Sequence, residues 1–518
     1  MRGVSRRGFS LSMAAAATQA AFAQRGGGLI ENVLDAAQKA AAEGPAIASG
    51  PVQPTWDSVR AHYKTPAWFK PGRFGIFMHW GLYAVPAHGS EWYVQRMYSP
   101  GAAMQWQTQK YGPLDQFGYK DFIPLFTCEK YDPDAWVELF KAAGANYIVP
   151  TAQHHDQFAL WDSDLTKWCA GKMGPKRDLI GDLAKAARRG GLKFGVSNHG
   201  MEHYGFIRAP QGIKTDLDDP ANDDFYWVLR RQQPGSYEKF LADWVARNFE
   251  LIDKYQPDLL WFDNGVNGRD LDPVKLKVAA HLYNRAAGWG KEVSFVTKAQ
   301  AYLAGSIFDL ERGRAVDIRR DCWQCETSMG HNSWGYTEDL VLRNSGEMIR
   351  ELIDSASKDG NYLLNIAPKK DGTIPGDQAL RLREMGQWLR QNGEGIYDTT
   401  AWTHYGEGPT PQTAASGARG ITDAMLKVYT AQDFRFTVKG NTLYAFGFAW
   451  PEYPGNAATI KSLALKDDGP GKVAAVTLLG SIQKTAFKQD AEGLHVTLPA
   501  WKTNEYAYTL KIEGLKLM

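Results

Sequence analysis

Four short stretches of this 518-residue chain hold the residues best equipped for chemistry. In 257-PDLLWFDNG-265 an apolar run closes on a carboxylate, Asp263, and Asn264 and Gly265 let the chain turn away. Such an acid is a nucleophile or base if strand ends line a cleft, and a turn cap if they do not. In 151-TAQHHDQFALWDSD-164, His154 and His155 are adjacent and Trp161 follows. On extended backbone adjacent side chains diverge, so only one histidine is expected to face a ligand squarely. Neither H-x-H nor H-E-x-x-H occurs here, so no metal is expected, and imidazoles that hydrogen-bond hydroxyls fit better. In 74-FGIFMHWGLYAVPAHGSEWY-93, His79, Trp80, Trp92 and Tyr93 surround a Gly-rich turn with one acid, Glu91. Rings beside hydrogen-bonding groups suit a ligand with one apolar face and a rim of hydroxyls, which describes a sugar. The fourth stretch, 305-GSIFDLERGRAVDIRRDCWQCETSMGHNSWGY-336, offers Asp309, Glu311, Asp317, Asp321 and Glu326, with Trp323 and Trp334 nearby. Most of these acids are expected to pair with Arg312, Arg314, Arg319 and Arg320, leaving one as a proton donor.

These residues need a frame that gathers them. Apolar strand-like runs stand at 74–80, 145–152, 193–198, 258–264, 292–297 and 361–368, with helical stretches at 132–145, 178–192, 236–255 and 345–360 between them. In the third helix Phe240, Leu241, Trp244, Val245, Phe249 and Ile252 share one side, and Lys239, Asp243, Arg247 and Glu250 lie opposite. Continuous apolar strands between amphipathic helices predict a parallel sheet covered on both faces. Periodicity alone does not separate an open sheet from a closed one. Nearly every strand ends in His, Asp, Asn or Trp, which favours a (β/α)8-like barrel with its site at the strand C-termini. After residue 400 the pattern changes to short alternating strands at 433–448, 472–480, 493–500 and 505–512, predicting an antiparallel β-sandwich. The expected organisation is a leader, a barrel over 54–400 and a sandwich over 401–518.

The first residues, MRGVSRRGFSLSMAAAATQAAFAQ, combine twin arginines Arg6 and Arg7, an apolar run and Ala21-Phe22-Ala23. That pattern predicts a twin-arginine signal peptide over 1–23 and folded export to a periplasm, with a flexible leader over 24–53. Removing Arg2, Arg6 and Arg7 takes the formal charge from +2 to −1. A chain so near neutrality gives no reason to expect nucleic acid or an anionic membrane as partner, and no run of eighteen apolar residues offers a membrane span. Four cysteines are too few for a disulfide scaffold, and Cys322-x-x-Cys325 lacks a second pair at zinc spacing.

Taken in order, FGIFMHWGLYAVPAHGSEWY, FTCEKYDPDAWVELFKAAGANYIVPTAQHHDQFALWDS, PDLLWFDNG, SWGY and DGNYLLNIAPKKDGTIP resemble the blocks of the α-L-fucosidases of glycoside hydrolase family 29, over roughly residues 55–400. The resemblance implies a (β/α)8-like barrel followed by a β-sandwich, retention of anomeric configuration, no metal or other cofactor, and a fucosylated oligosaccharide or polysaccharide as partner. It implies Asp263 as nucleophile, and His79, His154, His155, Glu91 and Trp92 as sugar contacts. The acid/base falls on Glu311 in FDLERG, with Glu326 in WQCETS as the alternative. Trp161, His199 and Trp334 complete the expected binding residues. Two departures stand out: Gln157 in HHDQF, where a small residue is usual, and VSNHGMEHYG at strand three, with Asn198, His199 and Glu202. These leave open another L-galacto-configured or sulfated fucose glycoside, and the choice between Glu311 and Glu326 leaves open a carbohydrate-binding homologue with weakened turnover.

Overall fold

The computed structural model describes residues 32–410, 428–452, 456–467 and 469–517. Eight parallel strands close into a barrel in chain order. They are β1 (Phe74–Met78), β2 (Tyr147–Gln153), β3 (Lys193–Asn198), β4 (Leu259–Phe262), β5 (Ser294–Thr297), β6 (Ser306–Glu311), β7 (Trp323–Ser328) and β8 (Asn361–Ile366). The signal-peptide segment 1–23 lies outside the described residues.

The continuous apolar strands split by alternation into two cores, as a period of two requires. Phe77, Tyr147, Val149, Leu259, Trp261, Val296, Ile307 and Leu363 pack together inside the barrel. Their neighbours Ile76, Ile148, Leu260, Phe295 and Leu364 join the larger core outside it, with the helices. The apolar plug therefore fills the barrel, and the next inward position on each strand is polar.

Two of the eight strands, β6 and β7, do not read as apolar runs. Beyond Ile307 their inward positions are Asp309, Glu311, Gln324 and Glu326, and the loops on either side of β6, 298–305 and 312–322, contain no helix. Without apolar alternation or flanking amphipathic helices, the usual strand signal is missing. The helices Asp272–Trp289 and Gly376–Asn392 also lie outside the expected set. In the helix Ser236–Tyr255 the six apolar residues are buried as expected, but so is Arg247. Its guanidinium is bonded to Asp243 at 2.7 Å and to Gln153 at 3.3 Å, which makes burial of the charge tolerable.

The segment expected to be a flexible leader is, from residue 32, a packed part of the fold. Asn32 caps the helix Val33–Glu43, and Ala37 and Ala40 are buried in the main core. Beyond it, the Ala48 N–H donates to His281 Nδ1 and the Val52 N–H to Asn284 Oδ1. An Ala-rich stretch with few charges looks like a linker, yet its small side chains are what let it lie close to the barrel helices.

The C-terminal unit has a five-stranded antiparallel sheet, in the order β13-β16-β11-β10-β9, facing a three-stranded one, β12-β15-β14. The strands are β9 (Thr400–Glu407), β10 (Phe434–Lys439), β11 (Thr442–Gly447), β12 (Ala457–Ile460), β13 (Ala475–Leu478), β14 (Ala486–Gln489), β15 (Leu494–Thr497) and β16 (Tyr508–Glu513). Phe434, Phe436 and Leu443 from one sheet share a core with Ala458, Ile460 and Val496 from the other, a β-sandwich. Gly440, at φ +57°, begins the two-residue hairpin turn between β10 and β11.

Asp354 on the helix Ser345–Ser357 ties the sandwich to the barrel. It accepts from Arg435 Nε at 2.6 Å and Lys358 Nζ at 2.7 Å, all three side chains being buried. Replacing Arg435 by Ala is expected to cost about 1.5–3 kcal/mol, the worth of a hydrogen bond to a charged group, because the buried carboxylate loses one of its two bonded cations and keeps Lys358. The urea-unfolding midpoint measures this.

Candidate active site

Counting inward by twos from the plug places the site. Phe77 leads to His79, Trp261 to Asp263, Val296 to Lys298, Ile307 to Asp309 and Glu311, Gln324 to Glu326, and Leu363 to Asn365. β4 ends at Phe262, so Asp263 stands on the barrel rim. One of its oxygens accepts from Lys298 Nζ at 3.0 Å and the other from His199 Nδ1 at 3.1 Å, with His155 Nε2 3.8 Å away. Burial pushes the Asp263 carboxyl up, but Lys298 and His199 outweigh it and hold it well below the usual carboxylate range.

Lys298 also lies 2.8 Å from Glu311 and 2.9 Å from Glu326. Burial lowers its pKa, yet Asp263, Glu311 and Glu326 together hold it well above the ordinary lysine value. Glu311 and Glu326 face each other in register across β6 and β7. The Glu326 side chain is 1 % exposed, one of its oxygens is buried without a partner, and burial with Asp309 nearby pushes its pKa well up. The Glu311 side chain is 27 % exposed. Asp309 accepts from Trp261 Nε1 at 3.1 Å and burial pushes it up to about 7.

The histidines converge from three strand ends. His79 Nδ1 lies 2.8 Å from Asn365 Oδ1, and its ring faces His154 and His199 at 5.5 and 5.2 Å between centroids. His154 and His155 both join the cluster, 4.3 Å apart, contrary to the expectation that one would turn away. The reason is that β2 stops at Gln153 and both histidines lie in the turn beyond it, where strand alternation no longer applies. Burial lowers His79 and His154 well below the ordinary value and His155 to about 3, so these rings are neutral near pH 7. Neutral rings donate and accept, as a rim of hydroxyls requires. Ligand atoms of His79, His154 and His199, and of His155, His199 and Asp263, lie within 4.8 Å of one another. Two sets of metal-capable donors thus arise from convergence in space, which spacing along the chain could not reveal.

Glu91 accepts from the Ser333 hydroxyl at 3.0 Å and the Trp334 N–H at 2.9 Å. It thereby anchors the SWGY turn and sets Trp334 beside His79, with ring centroids 5.2 Å apart. Trp92 stands edge-on to His155 at 6.0 Å and to Phe206 at 5.4 Å. Phe206, itself 4.7 Å from His155, supplies an apolar wall that sequence reasoning missed.

Trp161 is not part of this cluster. It is fully buried in the outer core, and its indole N–H donates to Glu250 at 2.7 Å. A tryptophan seven residues beyond His154 need not share its wall once the chain has turned into the core. Trp161→Phe should therefore cost about 1.5–3 kcal/mol of stability, the worth of a hydrogen bond to a charged group, and leave KM unchanged. Asn198 also turns away, donating to Asn248 at 3.2 Å, whereas Glu202 lies 3.8 Å from His155. Gln157 has φ +70°, a left-handed conformation that explains why a small residue suits the position. Its side chain bonds Gln153 and Asp243. Cys322 and Cys325 are both free thiols.

Residues 39–394 match the family model for alpha-L-fucosidase, and 428–513 match that for the alpha-L-fucosidase C-terminal domain. The chain belongs to the α-L-fucosidase family. It is 31 % identical over 486 residues to a tissue alpha-L-fucosidase of Bos taurus, covering 89 % of this chain and 91 % of that one. A plasma alpha-L-fucosidase of Homo sapiens is 33 % identical over 389 residues, covering 71 % and 76 %. The crystal structure of Thermotoga maritima alpha-fucosidase in complex with fucose superposes with a TM-score of 0.68 at 29 % identity, over 89 % of this chain and 99 % of that one. The same enzyme with a mechanism-based inhibitor gives 0.70 at 29 % identity, over 89 % and 100 %. The whole family architecture, barrel and sandwich, is thus present here.

Proposed function

We propose that this chain hydrolyses terminal α-L-fucosyl linkages of fucosylated oligosaccharides or polysaccharides, with retention, through a covalent glycosyl-enzyme. One observation carries the stereochemistry. Asp263 and Glu311 contact the same ammonium at 3.0 and 2.8 Å, so the contacting oxygens are at most 5.8 Å apart. Retaining enzymes hold their carboxyl groups about 5–5.5 Å apart, whereas inverting ones need about 6.5–9.5 Å to admit water. Asp263, ionised and fixed from two sides, is the nucleophile. Glu311 is the acid/base, because a proton donor to a departing sugar must reach the open side of the site. Glu326 is the second reading: its raised pKa makes it a proton carrier near the same lysine, but it is almost wholly enclosed.

His79, His154 and His155 bind the sugar hydroxyls in this reading, while His199, with Nδ1 on Asp263 and Nε2 on Ser197, orients the nucleophile; Glu91 and Trp334 border them, and Trp92 with Phe206 offers the apolar side. A deoxy sugar presents a methyl where most hexoses carry CH2OH, and a methyl favours such a wall. Hydrolysis of an aryl α-L-fucoside beside other aryl glycosides tests the substrate, and NMR of the first-formed sugar tests the stereochemistry. Preferred turnover of the fucoside with α-L-fucose appearing first is expected. The β anomer first would overturn retention, and preference for another glycoside would overturn the substrate.

Folded export to the periplasm is part of this proposal and rests on the SRRGFS motif with its apolar run. Arg6→Lys with Arg7→Lys should leave uncleaved precursor in the cytoplasm, because the pair is read by a receptor rather than as charge. Normal processing of that variant would point to ordinary secretion.

A further inference from the structure

Both proposed reacting carboxylates lean on one cation. The Lys298 side chain, 8 % exposed, is within 3.0 Å of Asp263, Glu311 and Glu326, and its ammonium lies 4.9 Å from the Trp261 ring centroid. A lysine this enclosed is costly unless charged partners hold it. From this geometry we propose that Lys298 is a positioning residue whose ammonium stays paired throughout turnover, its counter-charge passing from Asp263 to Glu311 and back. The proposal rests on the roles assigned to those two residues above.

The charge balance follows from the chemistry. Asp263 forms a bond to the anomeric carbon as the bond to the aglycone oxygen breaks, and that oxygen takes the proton from Glu311. Asp263 is then a neutral ester and Glu311 a carboxylate. One negative charge has vanished beside Lys298 and one has appeared beside the same ammonium. In the second step water attacks the anomeric carbon, Glu311 takes its proton, the ester bond breaks and the Asp263 carboxylate returns. At neither stage is the buried lysine left unpaired, so little reorganisation is demanded while charge moves. Glu326, pushed towards its neutral form, does not compete for the role.

Lys298→Met tests this, since it keeps the aliphatic stem and removes the charge. For an aryl α-L-fucoside, kcat/KM should fall by about 10²–10³-fold, the usual worth of one preorganised electrostatic contact. The acid limb of its pH profile should move up by more than one pH unit, because attack needs Asp263 ionised and its cation is gone. The other titratable groups facing this pair are His79, His154, His155, His199, Glu202, Asp309, Glu311 and Glu326, and all remain in the variant. Lys298→Arg should restore most of the limb position. Lys298→Gln, which donates hydrogen bonds without charge, should match the methionine variant, and it decides the matter if that variant does not fold. Either neutral variant with kcat/KM within threefold of wild type and an unmoved acid limb would overturn the proposal. A parallel Asp263→Ala enzyme that stays active would instead overturn the role assignments.

Discussion

Asp263→Ala is expected to lower turnover of aryl fucosides by about 10⁴-fold or more while the protein folds normally, because removing a nucleophile that forms a covalent intermediate leaves only binding and residual electrostatics. Folding should survive because Asp263 stands beyond the last residue of β4, and its loss relieves a buried charge cluster as well as breaking bonds. The partners left behind are Lys298, which keeps Glu311 and Glu326, His199, which keeps Ser197 Oγ at 3.0 Å, and the exposed Asn264 N–H. Azide should restore part of the rate by entering the vacated space and giving a glycosyl azide of inverted configuration. Near wild-type activity in a folded Asp263→Ala would remove this residue from the mechanism.

The second large effect depends on the leaving group. Glu311→Ala should slow natural-type fucosides by about 10²–10⁴-fold, the usual contribution of general acid catalysis, and nitrophenyl fucoside less. A nitrophenolate departs without a proton and a sugar alkoxide does not. The alkaline limb of the pH–rate profile should flatten, since that limb reports loss of the acid's proton. Glu326→Ala should show neither change, although it empties a fully enclosed position and should cost stability. Should the leaving-group dependence appear in Glu326→Ala and not in Glu311→Ala, the two residues exchange roles. If it appears in neither, Glu91 is the next acid to replace.

How much of this was readable before folding differs from residue to residue. Six of the eight barrel strands, the four expected helices and five of the eight sandwich strands follow from hydrophobic period alone, because burial on one or two faces leaves that mark in any chain; β9, β12 and β14 lie outside the expected stretches. Asp263 was legible for the same reason: an acid at the end of an apolar run stands on the rim of whatever that run fills. β6 and β7 were not legible, since their inward positions carry the charges of the site itself and no helix flanks β6. The packed segment from residue 32 reads as a loose leader because alanines carry little hydrophobic signal.

The site depended on convergence, which one-dimensional spacing does not encode. His154 and His155 face one centre because a strand happens to end one residue before them. Trp161, close to them in the chain, lies in the outer core. Lys298 in VTKAQ belongs to no motif, although counting inward by twos from Val296 points to it. Its importance comes from Asp263, Glu311 and Glu326 on three other strands, all within 3.0 Å of its ammonium. Composition and period determined the barrel, the sandwich and the rim on which chemistry sits. Barrel closure decided which side chains meet, because it alone brings strands four to seven around one buried charge.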